Sequence, residues 1–79
     1  MLTQLINNLT KEQKVQLFAR DIPPQTISYW RSGKRRPTYA QAVSLAFVTG
    51  ADLKELLLEI ALEDVHEMDK EAAKAILNS

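Results

Sequence analysis

The residues best suited to chemistry lie together in residues 25–36, QTISYWRSGKRR. An amide such as that of Gln25 can pair bidentately with the edge of adenine, and the methyl group of Thr26 can contact that of thymine. Ser28 and Tyr29 add two hydroxyl groups, and four of the chain's ten Lys and Arg residues lie in the same stretch. Basic side chains in such a position can neutralise phosphates. The stretch therefore has the residue types of a contact with nucleic acid.

Charge is divided unevenly along the chain. The 79 residues include ten Lys and Arg and ten Asp and Glu, so the formal net charge is zero. Residues 11–36, however, hold seven basic and two acidic residues (+5), whereas residues 37–79 hold three basic and eight acidic residues (−5). This division predicts that the first region faces a polyanion and that the second faces something else.

The residue types argue against catalysis and against a cofactor. The chain has no cysteine, its one histidine is His66, and its two glycines cannot form a Gly-rich phosphate loop. No nucleophile has a candidate base beside it. Glu59, Glu63 and Glu67 recur every four residues and so share one helix face. A carboxylate metal site there is conceivable, but we expect a solvated face and neither metal nor cofactor.

The composition is that of a folded protein that stays in the cell. Hydrophobic residues make up 46% of the chain and charged residues 25%, which is typical of a soluble domain. No apolar stretch approaches the length of a membrane span, and the first residues lack the pattern of a signal peptide. We therefore expect a cytoplasmic protein without a membrane partner.

Apolar periodicity predicts an all-α fold of five or six helices, with all 79 residues in a single domain. The sequences TKEQ at Thr10 and TYAQ at Thr38 have the form of capping boxes, and Asp52 is placed to start a further helix. Pro24 suits the first turn of a helix that Gly33 then ends.

One apolar face of each helix is expected to form the core. The expected buried residues are Val15, Leu17, Phe18 and Ala19 in the second helix, Ile27 and Trp30 in the third, and Ala40, Val43, Ala46 and Phe47 in the fourth. The leucine-rich helix over residues 53–65 is apolar on more than one face. We therefore expect the acidic helices of residues 52–79 to form a homodimer, through Leu58, Leu62, Val65, Ile76 and Leu77.

Residues 26–33, TISYWRSG, resemble the recognition-helix signature of the Cro and lambda-repressor-like (Xre) family of helix-turn-helix proteins. Residues 37–46 are similar to the helix that follows in that family, and residues 50–57 resemble small phage-related proteins of the same class. The resemblance covers roughly residues 10–65 and is strongest over residues 22–37.

The resemblance implies a lambda-repressor-like DNA-binding domain with its helix-turn-helix at about residues 11–32. Such a protein binds double-stranded DNA sequence-specifically. A phage-type repressor would regulate transcription as a homodimer on a pseudo-palindromic operator, in the nucleoid of a bacterial host cell. The positions expected at base edges are Pro24, through apolar contact alone, and Gln25, Thr26, Ser28 and Tyr29. The positions expected at phosphates are Gln13, Lys14, Arg31, Ser32, Lys34, Arg35 and Arg36.

The chain departs from the family pattern at the turn between the two helices. The family usually has a glycine before the apolar residue that matches Ile22, and this chain has Asp21 there. Aspartate tolerates the left-handed backbone conformation better than most residues, although less well than glycine. Ala19 also lies closer to Ile22 than the family's buried alanine does.

Two alternatives stay open at the level of the sequence. The chain could be a protein-interaction adaptor or an antitoxin-like partner, in which the leucine-rich C-terminal half packs on a partner helix. A DNA-binding form could also be an activator rather than a repressor. In either case Trp30 is expected in the core, and Ser28 either reaches a base or bonds to the preceding turn of its own helix.

Overall fold

A computed structural model describes residues 1–63 and 69–77, and within these ranges the protein has six α-helices and no β-strand. The helices are α1 (Leu2–Asn7), α2 (Lys11–Phe18), α3 (Pro24–Ser32), α4 (Tyr39–Thr49), α5 (Leu53–Glu63) and α6 (Lys70–Leu77). The predicted all-α class is confirmed, with helix number at the upper end of the predicted five or six. No helix in the described ranges is both long and apolar enough to cross a lipid bilayer.

Both predicted capping boxes are present. The Thr10 hydroxyl accepts a hydrogen bond from the Gln13 N–H (3.1 Å), and the Gln13 side-chain carbonyl accepts one from the Thr10 N–H (2.9 Å). Thr38 and Gln41 form the same pair of bonds at 3.1 and 2.9 Å. These contacts satisfy backbone donors that have no partner within the first turn of a helix. They fix where α2 and α4 begin.

The core is built mainly from α1 to α5. Helix α1 packs on α3, α2 packs on α4, and α4 packs on α5, while α6 contacts α5. Four large side chains are almost completely buried: Leu17, Ile22, Leu45 and Leu56. The other buried apolar residues are Leu2, Ile6, Leu9, Ile27, Trp30, Ala42, Ala46 and Ile60.

The predicted buried face of α2 is wrong except at Leu17. Val15 and Phe18 are 63% and 60% exposed, and Ala19 is also exposed. Leu17 is the one buried residue among the eight of α2. The residue one turn earlier on that face is Lys14, which is half-buried. The remaining apolar contacts of this region come from residues outside the helix.

The predicted buried face of α4 is also wrong, with Ala46 as the exception. Ala40 is exposed, and Val43 and Phe47 are 48% and 73% exposed. The helix instead buries Ala42 and Leu45 completely. Because α4 carries no charged residue and is apolar around most of its circumference, periodicity does not select a face. Packing against both α2 and α5 selects it.

The acidic face of α5 is partly used in tertiary contacts. The Met1 amino group lies 3.0 Å from one Glu59 carboxylate oxygen, and the Leu2 N–H donates to the other at 2.7 Å. Glu63 forms an ion pair with Arg36. His66 and Glu67 lie outside the described residues. Among residues 1–63 and 69–77, no cluster of His, Asp or Glu side chains could hold a metal ion. The expectation of a solvated face is therefore wrong at Glu59.

Leu17→Ala should lower the free energy of unfolding by about 2–5 kcal/mol, because it removes buried methyl groups and leaves a cavity in the core. Val15→Ala, a matched control on the exposed side of the same helix, should change it by less than about 0.5 kcal/mol. Urea denaturation followed by circular dichroism measures both. A Val15 loss as large as that of Leu17 would contradict the observed packing of α2.

Candidate nucleic-acid interface

Helix α3 has one buried face and one exposed face. Ile27 and Trp30, three residues apart, are only 3% and 6% exposed and hold the helix against the core. Gln25 and Ser28 are exposed, as are Pro24, Arg31 and Ser32, whereas Thr26 and Tyr29 are half-buried. The predicted anchors are confirmed. The predicted base-contacting side chains are thus on or beside the face that points away from the core.

The turn before α3 is closed by Asp21. Its φ of 65° is left-handed, and it is the only non-glycine residue with positive φ in the described ranges. The Ile22 N–H bonds to the Leu17 carbonyl at 3.0 Å, and the Asp21 N–H bonds to the Phe18 carbonyl at 3.1 Å. This pair of bonds is a Schellman closure, with an apolar residue following the left-handed one. Asp21 therefore takes a conformation that glycine adopts most readily and that aspartate tolerates better than most residues.

The turn after α3 repeats the same geometry at Gly33. Its φ is 77°, the Lys34 N–H bonds to the Tyr29 carbonyl at 3.0 Å, and the Gly33 N–H bonds to the Trp30 carbonyl at 3.3 Å. The Arg35 N–H also reaches the Tyr29 carbonyl, at 3.3 Å. The basic loop, residues 34–36, is thereby folded back onto the last turn of α3.

Tyr29 has contacts on three sides. Its hydroxyl accepts a hydrogen bond from Gln25 Nε2 at 2.8 Å. Lys34 Nζ lies 4.9 Å and the Arg35 guanidinium 5.2 Å from the centre of its ring, within the range of cation–π attraction. Its carbonyl also accepts from the Ser32 hydroxyl at 3.2 Å. One residue thus joins a predicted base contact to three predicted phosphate contacts.

The basic loop is also linked to the acidic half. Arg36 Nε lies 2.9 Å from a Glu63 carboxylate oxygen, with the two side chains 51% and 40% exposed. Lys34 and Arg35 are exposed, and nearby Pro37 is buried. The structure therefore brings Arg31, Ser32, Lys34, Arg35 and Arg36 together at the C-terminal end of α3.

The remaining predicted phosphate residues lie at the start of α2. Gln13 and Lys14 are half-buried there. The side-chain carbonyl of Gln13 accepts the Thr10 N–H in the capping box. Arg20, which follows α2, is a further basic residue in this region. Its guanidinium donates to the Gln16 carbonyl at 3.0 Å and lies 4.8 Å from the Phe47 ring centre.

The residues predicted at a dimer interface are only partly brought together. Leu58 lines an apolar groove between α4 and α5, with Tyr39, Ala40, Val43, Lys54, Leu57 and Ala61. Leu62 is half-buried, and Ile76 is 73% exposed. Val65 and the side chain of Leu77 lie outside the described residues. Tyr39 and Val43 also line this groove, because their four-residue spacing places them on one face of α4.

Asp21→Val should lower the free energy of unfolding by about 1–2 kcal/mol, because a β-branched residue is strained in the left-handed conformation. Asp21→Asn is the matched control: it removes the charge but tolerates that conformation, so stability should change by less than about 0.5 kcal/mol. Thermal or urea unfolding measures both variants. Equal losses in the two would assign the effect to charge and contradict the conformational explanation.

Comparison with known proteins gives no relative: no protein-family model, no curated protein and no solved structure matches this chain. The resemblance to a helix-turn-helix family therefore depends on the sequence pattern alone. The geometry around α3 is what bears on function: a helix anchored on one side, polar on the other, and followed by a basic loop.

Proposed function

We propose that the protein is a sequence-specific, double-stranded DNA-binding regulator of transcription of the lambda-repressor-like type, with α3 as its recognition helix. The observation that carries the proposal is the division of α3 between the buried pair Ile27 and Trp30 and the outward Gln25 and Ser28. An α-helix fits the major groove of B-DNA, where such side chains can reach base edges. The preceding α2 and its tight turn complete a helix-turn-helix.

The exposed face of α3 suits base recognition. Gln25 offers an amide donor and acceptor, Ser28 a hydroxyl, and Pro24 an apolar ring. Thr26 is half-buried, so its methyl group contributes at the edge of this face. Tyr29, the last of the predicted base-contacting residues, lies between Gln25 and the basic loop.

The basic residues after α3 suit phosphate contacts. Arg31, Lys34 and Arg35 are exposed at its C-terminal end, where they would flank a helix inserted in the groove. Arg36 is ion-paired with Glu63, so a phosphate would compete with that carboxylate for the guanidinium. The acidic residues of the C-terminal half other than Glu63 would repel DNA and should point away from it.

The proposal includes a homodimer on a pseudo-palindromic operator, because one recognition helix offers little contact for tight specific binding. The groove lined by Tyr39, Val43 and Leu58 is the surface that we assign to the second copy. All its lining residues except Lys54 are uncharged, so we expect it to pack against another uncharged surface. In a twofold-symmetric dimer, the same groove of the second copy would provide that surface. A phage-type repressor of this kind would act in the cytoplasm of a bacterial host by occupying a promoter.

The same groove is the one observation that favours a second candidate function, a protein-interaction adaptor or antitoxin-like partner. A partner helix with an apolar face could occupy it. The two functions differ in what they require of α3, because the adaptor needs no DNA contact. DNA binding is the better-supported function, since the adaptor explains neither the polar face of α3 nor the basic loop beside it.

Selection from random duplex DNA tests the proposal, with the retained complex sized to give its stoichiometry. Gln25→Ala should relax preference at one base position by a factor of about 5–100, because it removes a bidentate contact. Arg35→Ala should weaken binding to all sequences alike and reduce the salt slope by about one phosphate contact. Arg36→Ala should also weaken binding to all sequences, and part of this weakening would come from the loss of the ion pair with Glu63.

Two outcomes would contradict this function. Binding that does not depend on salt would exclude the proposed phosphate contacts, and absence of duplex binding would exclude the function entirely. A stoichiometric protein partner, found together with DNA affinity in the nonspecific range, would favour the adaptor.

The homodimer has its own test, made without DNA. Val43→Glu should weaken self-association at least about tenfold, because it places a charge in the apolar groove. Val15→Glu is the matched control: Val15 is also an exposed helical valine, at 63%, but it does not line the groove. Sedimentation equilibrium measures both variants. A monomeric wild type, or equal weakening by the two substitutions, would contradict this interface.

A further inference from the structure

Gln25 and Tyr29 form one hydrogen-bonded unit on the exposed side of α3. They are four residues apart and therefore adjacent on the helix surface, and Gln25 Nε2 donates to the Tyr29 hydroxyl at 2.8 Å. A glutamine amide nitrogen carries two hydrogens. Donation of one to Tyr29 leaves the second N–H and the carbonyl Oε1 available. This remaining pair is the donor and acceptor that match N7 and the amino group of adenine.

The bond to Tyr29 restricts a side chain that would otherwise be mobile. Gln25 is exposed, and a long exposed side chain must lose its rotamer freedom when it binds. Tyr29 has few rotatable bonds and is half-buried, so its hydroxyl is a comparatively fixed point. Holding Gln25 from this point before DNA arrives lowers the entropic cost of pairing with a base.

The other contacts of Tyr29 concern phosphate binding. The centre of its ring lies 4.9 Å from Lys34 Nζ and 5.2 Å from the Arg35 guanidinium. Its carbonyl accepts from the backbone N–H groups of the same two residues, at 3.0 and 3.3 Å. Tyr29 therefore contacts both the side chains and the backbone of Lys34 and Arg35. Its ring and carbonyl contact the loop, whereas its hydroxyl contacts Gln25.

We propose that Tyr29 is a positioning residue that couples base recognition to phosphate binding, through Gln25 on one side and through Lys34 and Arg35 on the other. The ligand that this arrangement fits is a duplex half-site with adenine at the position that Gln25 reads. This inference rests on the proposed DNA-binding function, and it changes the role of Tyr29: the residue acts through Gln25 rather than by reading a base of its own.

The experiment separates the hydroxyl from the ring. Random-duplex selection and salt titration are carried out on the full chain with Tyr29→Phe, Tyr29→Leu, Gln25→Ala and the Tyr29→Phe/Gln25→Ala double variant. Tyr29→Phe should lower adenine preference at the Gln25 position by a factor of about 2–10, which is less than the effect of Gln25→Ala, with the salt slope unchanged. Tyr29→Leu should lower the same preference and also reduce the slope by about one to two phosphate contacts.

The double variant tests whether Tyr29 acts through Gln25. In the Gln25→Ala background, Tyr29→Phe should have no further effect, because the group that it positions is absent. Thr3→Ala is the control: it removes an exposed hydroxyl from α1, outside the proposed DNA-contacting residues, and it should leave this preference intact. Gln25 is exposed and Tyr29→Phe keeps the ring, so these variants should retain the fold; their urea midpoints verify this.

Each contrary result has a distinct meaning. If the wild type selects no sequence, the DNA-binding function fails and this inference fails with it. If the wild type selects a sequence but Tyr29→Phe leaves its adenine preference unchanged, only the inference is overturned. Independent effects of Gln25→Ala and Tyr29→Phe at two different base positions would also overturn it, because Tyr29 would then read its own base.

Discussion

The arrangement of this protein depends on two helix ends that are closed by residues in the left-handed conformation. Asp21 and Gly33, with φ of 65° and 77°, reverse the chain before and after α3. In each case the next N–H bonds to a carbonyl five residues earlier. The first closure brings Ile22 into the core and sets where α3 begins, and the second returns the basic loop to Tyr29. Burial of Trp30 between the two turns then determines which face of α3 is exposed.

The acidic half of the chain is tied to the basic half rather than separate from it. Glu59 holds the start of the chain against α5, and Glu63 pairs with Arg36 of the basic loop. An ion pair between exposed side chains contributes little to stability. The second pair therefore has its main effect on position, since it places a carboxylate within reach of the proposed phosphate contacts. In the proposed function, a DNA phosphate would replace Glu63 as the anionic partner of Arg36.

The ends of the helices could be predicted from the sequence, whereas the buried faces of two of them could not. Capping at Thr10 and Thr38 and termination at Gly33 depend on residues within one turn of each other, so sequence contains the whole interaction. The faces of α2 and α4 depend on neighbours distant in sequence. Val43 and Phe47 illustrate this: both are apolar at helical spacing, yet packing of α4 between α2 and α5 leaves them exposed.

The candidate site shows the same division. The sequence by itself determined that α3 has an apolar pair, Ile27 and Trp30, and that polar and basic residues surround it, because the spacing of side chains on a helix follows from its geometry. The pairing of Arg36 with Glu63 was decided only by the tertiary structure. It joins side chains that are distant in sequence, and no local preference encodes where such a path brings a side chain.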